Sequence, residues 1–189
     1  MAFALDDIET VRLIMQALIA VGSVVGGVVA AWTFWRARRL EEMNAIVTQI
    51  QSQNELREER IRQPAIARFN EEDFRGILTV FQVVDAESPE ADRAVQQYYG
   101  WLVQYGIFEM QYVRLRHRLM KQREAARFWR AVDLSLTEDG FRRAVLTATN
   151  KFVFTDLLRD MVQRPAGRQA AQAVQGLGLV LDDEVRSVL

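Results

Sequence analysis

Residues 13–35 run for 23 positions without one Asp, Glu, Lys or Arg, and nothing else in the chain restricts its fold as much. The only polar side chains there are Gln16, Ser23 and Thr33. A helix rises about 1.5 Å per residue, so roughly 20 apolar residues cross the ~30 Å hydrocarbon core of a bilayer. The expectation is one transmembrane helix over 13–35. A cleaved signal peptide is the competing explanation, and it needs a basic start and an apolar run of about 7–15 residues. Here the preceding residues 1–12 are acidic, with Asp6, Asp7 and Glu9 opposed by Arg12 alone, and the apolar run is longer.

The flanks give the span an orientation. Arg36, Arg38 and Arg39 follow it at once, and Arg57, Arg60 and Arg62 come further along. Lys and Arg near a span end favour the cytoplasmic side. The short acidic N-terminus is therefore expected outside and the remainder of the chain in the cytoplasm. Trp32, Phe34 and Trp35 cluster at the inner end, where amphipathic rings prefer the membrane interface. Trp32, Trp35, Arg36, Arg38 and Arg39 are accordingly read as interfacial anchors.

Small residues recur through the span: Gly22, Gly26 and Ala30 lie four apart, and Ser23, Gly27 and Ala31 repeat the pattern one position on. Such rows let helix backbones approach closely in lipid, although Gly is also frequent in membrane helices generally. The two adjacent rows together suggest a packing face. Its expected partners are other membrane proteins or further copies of this chain, with the lipid bilayer around the rest of the helix.

Residues 36–62 contain no Gly or Pro, so the helix is expected to continue as a connecting helix over 36–63. Leu40, Met43, Val47, Ile50, Asn54 and Ile61 follow a heptad, with Arg57 as the poor fit. Apolar a and d positions make a coiled-coil seam, and a buried Asn in one sets register and strand number. An amphipathic helix packed on its own domain gives the same pattern, and the sequence leaves both open. Pro64 ends the element, because the residue before proline is pushed out of the helical region.

From residue 64 to 164 the signals describe a small all-α domain. Asn70 is an N-cap residue followed by Glu71, Glu72 and Asp73, whose charges suit a helix N-terminus. Phe74, Ile77, Leu78, Phe81 and Val84 follow at helical spacing. Ser88 with Pro89 starts a second helix, expected to reach about Asp133 with a break near 121–123. A third is expected from Thr137 to just before Pro165, carrying Phe141, Val145, Phe152, Leu157 and Met161. The tail 165–189 is Ala- and Gln-rich, is broken by Gly176 and Gly178, and has Asp182 and Asp183 placed to cap a short terminal helix. Its apolar end, Val188 and Leu189, suggests docking.

Two stretches carry unusual composition. Residues 98–113 hold Tyr98, Tyr99, Trp101, Tyr105, Phe108 and Tyr112, but Gln104, Glu109 and Gln111 interrupt them. A mid-span carboxylate is costly in lipid, so this reads as a buried core helix, with Glu109 paired to an Arg or reaching the surface. Then Arg114, Arg116, Arg118, Lys121, Arg123, Arg127 and Arg130 are opposed only by Glu124, while Leu115, Leu119 and Trp129 continue an apolar face. Pairing with the acidic run from Glu71 to Asp92, which includes Asp85, Glu87 and Glu90, is the preferred role. Contact with anionic headgroups and phosphate binding are the alternatives.

Composition removes several function classes. Half the residues are apolar and 26% charged, as in a folded domain. The net charge of −1 argues against a general polyanion binder, so no nucleic-acid partner is expected. Cys is absent and His117 is the only His, expected to face solvent. Disulfides, thiolate metal sites, Cys nucleophiles and His clusters therefore lack material. There is no Gly-rich phosphate loop and no nucleophile elbow, and no cofactor or enzymatic activity is expected. Arg outnumbers Lys very heavily, as in GC-rich bacterial genomes.

The order of membrane helix, charged connecting helix, Pro64, acidic helix start and aromatic helix with Phe108 and Glu109 resembles uncharacterised bacterial membrane-anchored helical proteins, some of them labelled phage abortive-infection proteins. The resemblance covers most of the chain through arrangement, and it brings no functional residues with it. It is compatible with a single-pass protein of the bacterial inner membrane. From the small-residue face, the helical domain held at the membrane and the missing catalytic motifs, the expected role is a non-catalytic accessory or scaffold subunit of a larger complex, the alternative being a self-associating signalling or defence module.

Overall fold

The computed structural model describes residues 3–147 and 155–189, and these are all-α. The chain divides into two compact units, Met1–Asn44 and Ala45–Leu189. The first helix, α1 (Phe3–Arg62), contributes to both, so the stretch expected as one connecting helix is shared between them.

In the first unit α1 already begins at Phe3, ahead of the apolar stretch. Its most apolar window has a mean hydropathy of 2.2, and the helix is long and apolar enough to cross a membrane. The apolar side chains are exposed all round it: the successive residues Leu13, Ile14 and Met15 are 66%, 54% and 55% exposed. Its hydroxyls bond back to the helix, Ser23 Oγ to Ile19 O at 2.8 Å and Thr33 Oγ1 to Val29 O at 2.9 Å. Such back-bonding lets a hydroxyl sit in an apolar helix without seeking water.

The second unit is organised by α3 (Pro89–Arg116). Ser88 caps it, accepting from Ala91 N, and Pro89 occupies the first turn, where the missing N–H costs nothing. The N-terminal half of α3 packs Val95, Tyr98 and Leu102 against Phe74, Ile77 and Leu78 of α2 (Glu71–Phe81). Asn70 caps α2, its side chain accepting from Asp73 N, as its sequence signal implies. The C-terminal half of α3 packs Tyr105, Phe108 and Tyr112 against α4 (Gln122–Ser135), α5 (Asp139–Leu146), α6 (Thr155–Gln163) and α7 (Pro165–Gly176). Phe108 meets Phe128 and Phe141 edge-on at 6.1 and 6.0 Å, the geometry that ring quadrupoles favour. The aromatic stretch 98–113 is therefore a core helix.

Three boundaries differ from the sequence expectation. α3 stops at Arg116 and α4 starts at Gln122, with Arg118 in the left-handed region at φ 58° making the turn. The helix expected to run from Thr137 to Pro165 ends at Leu146. Thr147 is extended there and forms an isolated antiparallel bridge with Leu181, while Asp182 N donates to Leu146 O at 3.0 Å. A long-range backbone pairing outweighed the local helical pattern. Phe152 lies outside the described residues. Pro165 opens α7 instead of closing the domain, and α7 buries Ala170, Ala171 and Val174. Gly167 is required at its start, because a Cβ there would run into the Met161 carbonyl. Asp182 caps α8 (Asp183–Arg186), accepting from Glu184 N; Val188 packs on the core but Leu189 stays half-exposed.

Candidate functional site

The heptad of the connecting helix turns inward within the second unit. Ile50 and Asn54 are buried, Val47 and Ile61 half-buried, and Arg57, the residue that breaks the apolar pattern, is only 6% exposed. Arg57 Nη1 donates to Asn54 Oδ1 and to the Leu102 carbonyl, both at 2.9 Å, and Nη2 donates to Gln53 Oε1 at 3.4 Å. Asn54 fits because Gly106 of α3 has no side chain; a Cβ there would collide with the Asn54 amide. Ile50, Asn54 and Arg57 thus pack within their own domain. Leu40 and Met43 belong to the first unit.

Arg57 also lies in the field of Glu109, which is fully buried. Burial pulls the Arg57 pKa below its ordinary value, and the Glu109 carboxylate opposes that pull. Tyr105, fully buried beside the same carboxylate, has its pKa pushed well up, first by burial and then by Glu109. Arg57 is thus the cation that acts on Glu109 electrostatically, while its hydrogen bonds go to Asn54, Gln53 and the Leu102 carbonyl. The Arg57 bond to the Leu102 carbonyl and the approach of Asn54 to Gly106 tie α1 to α3 in one register.

Above this cluster opens a groove of about 360 Å³, walled by Leu56, Arg57 and Arg60 of α1, by Asn70 and Asp73 at the start of α2, and by Tyr98, Tyr99 and Leu102 of α3. Arg60 Nη1 donates to Tyr99 Oη at 2.7 Å and its guanidinium lies 5.0 Å from the Tyr99 ring centre. Burial raises the Tyr99 pKa, with Arg60 opposing. The groove therefore brings phenol hydroxyls together with guanidiniums already engaged by the Leu102 carbonyl and Tyr99 Oη. Among the described residues no three His, Asp or Glu side chains converge as metal ligands.

The second candidate surface is the apolar part of α1. Gly22, Gly26 and Gly27 have open space where a Cβ would stand, and Ser23, Ala30 and Ala31 are exposed beside them. At its end Arg39 stacks on Trp35 with the guanidinium 3.7 Å from the ring centre, and Arg36 lies 5.3 Å from Trp32. Arg38 pairs with Glu42 at 3.5 Å. Stacked Arg–Trp pairs hold cationic heads beside aromatic bodies, the combination that suits a membrane interface.

The basic run 114–130 does not meet the acidic run it was expected to neutralise. Arg68 takes Glu87 at 2.8 Å and Asp92 at 3.1 Å, while Arg75 takes Glu71 and Arg93 takes Glu90. Each of those acids finds an Arg nearer in the chain or the fold, so the basic run is left over. Its one ion pair among the described residues is Arg116 with Asp156 at 3.3 Å. Two further expectations are corrected here: His117 is half-buried where solvent exposure was expected, and Leu119 leaves the apolar face to sit 45% exposed in the α3–α4 turn. Compared with protein-family models, with curated proteins and with solved structures, the chain matches none.

Proposed function

We propose that the chain is a non-catalytic accessory or scaffold subunit of a larger bacterial inner-membrane complex. One transmembrane helix anchors it, with the short N-terminus outside and the helical domain in the cytoplasm. The observation that carries this reading is the apolar part of α1, whose hydropathic window has no residue buried within the chain. A core helix of a water-soluble fold would be covered by its own protein, and a monomer rarely exposes so large a continuous apolar surface to water. The open small-residue rows at Gly22, Gly26 and Ala30 supply a face on which a partner helix packs. The buried Arg57–Glu109 cluster reads as architecture, which agrees with a domain that holds partners and performs no chemistry.

The same small-residue face would accept a second copy of the chain, giving a self-associating signalling or defence module. That alternative loses the lower part of its coiled-coil seam, since Ile50 and Asn54 are occupied within the domain. Purification of the tagged chain from native membrane in a mild detergent, with composition read by mass spectrometry, separates the two. A stoichiometric set of other membrane proteins is the expected result, and Gly26→Leu is expected to release the chain from them. Recovery of this chain alone, or continued co-migration of the Gly26→Leu variant, counts against the subunit reading.

A further inference from the structure

The unpaired basic run has a definite geometry. On α4, Arg123, Arg127 and Arg130 project within roughly 60° of one another at 3.6 residues per turn, and exposed Leu134 continues the same stripe. Phe128 and Val132 on the opposite side are buried. Arg118, Lys121 and Leu119 in the preceding turn are exposed, as is Arg114 at the end of α3. Among the described residues these six cations form no ion pair. The single carboxylate in the run, Glu124, is spent on its own helix start, accepting from Lys121 N at 2.9 Å.

We propose that this face of the α3–α4 corner docks on a bilayer surface rich in anionic lipid headgroups. Unpaired cations left together on one face of a chain whose net charge is −1 call for an anionic partner. The exposed Leu119 and Leu134 distinguish the partner. Aliphatic side chains beside cations suit a headgroup layer with acyl chains beneath it, and they add nothing to phosphate contacts along a nucleic acid. The proposal rests on the reading that α1 spans a bilayer, because an anchored chain meets that surface at high effective concentration. Juxtamembrane cations then add attraction that falls off within a Debye length.

The chain has no Cys, so Ala126→Cys, exposed beside the stripe, takes one polarity-sensitive fluorophore on the full-length protein. The labelled chain is reconstituted in vesicles of phosphatidylcholine alone or mixed with phosphatidylglycerol. The expected result is a blue shift in the anionic vesicles only, reversed by salt and abolished by Arg123→Gln, Arg127→Gln and Arg130→Gln together. A Val84→Cys label, at a residue 100% exposed in the α2–α3 loop, should show none. Equal spectra in the two vesicle types overturn the proposal. So does a shift produced by adding RNA to the phosphatidylcholine sample, which would make the partner a nucleic acid. Flotation with phosphatidylcholine vesicles reports on the anchor separately. A chain that floats without a charge-dependent shift keeps its span and loses this surface. One that fails to float but shifts with anionic vesicles does the reverse.

Discussion

Residues 13–35 and 98–113 are both helical and both rich in large apolar side chains, but they use them differently. In α3 the apolar residues share a side, and Tyr98, Tyr105, Phe108 and Tyr112 are covered by the other helices of the domain. Gln96 and Gln97 lie exposed and Gln104 half-exposed on its other side. In the apolar part of α1 no such sidedness exists, and Leu13, Ile14, Met15 and Ile19, which point to different sides at about 100° per residue, are all exposed. A helix with a polar stripe finishes its burial within a protein. A helix that is apolar all round has to be surrounded, and a domain of this size has too little surface to surround it. Charge follows the same division, since α3 carries Glu109 within the field of Arg57, whereas 13–35 has no charged residue.

The sharpest way to break this contrast is to remove the compensation in the domain. Arg57→Leu leaves Glu109 buried without its cation, and it also leaves the Leu102 carbonyl and the Asn54 amide short of a donor. The loss of domain stability should be about 3–5 kcal/mol, read from denaturant unfolding of the detergent-solubilised chain. A loss within experimental error would mean that Glu109 is satisfied elsewhere.

A charge placed in the other helix tests the opposite side of the comparison. Val25→Arg should cost about 2.5–3.5 kcal/mol of membrane insertion on the translocon scale, measured as the membrane-integrated fraction in a translation and insertion assay. The domain's own unfolding midpoint should not move. Ile107→Arg, at a part-exposed site on α3, should leave both unchanged within about 0.5 kcal/mol. An unaffected insertion of Val25→Arg would place 13–35 in a protein environment instead of lipid.

Gly106→Ala is the smallest of the three. Its Cβ would strike the Asn54 amide, which must shift off Arg57, for a cost of about 1–3 kcal/mol. Pairing it with Asn54→Ala should recover part of that loss if the collision is the cause. Additive losses would locate the strain elsewhere. Asn54→Val, which a coiled-coil seam would register as a change in oligomeric state, is here expected to act on domain stability.

Much of the local structure was legible in the chain because its signals act over a few residues. The caps at Asn70, Ser88 and Asp182 stand where their side chains accept backbone donors. Val47, Ile50, Asn54 and Ile61 of the heptad are covered to differing degrees, and the misfit Arg57 is buried with them. What that face would meet was not legible, because an apolar stripe carries no address. Gly106, the residue that lets Asn54 approach α3, has no signature apart from being a glycine in a helix. The break at Thr147 was hidden for a similar reason, since its bridging partner Leu181 lies far along the chain.

The amino-acid order by itself determined the all-α class, the apolar character and length of 13–35 and the capped helix starts at Asn70, Ser88 and Asp182, because periodicity, capping and hydropathy are short-range properties. Only the tertiary structure decided that Arg57 bonds to the Leu102 carbonyl within the field of Glu109, that the seam from Ile50 to Ile61 lies on α3, and that the cations from Arg114 to Arg130 are left without their expected acids. Those outcomes depend on which distant groups arrive within a few ångströms of one another. Charge pairing is settled by that arrival: Arg68 reached Glu87 and Asp92, and the basic face of α4 was left open.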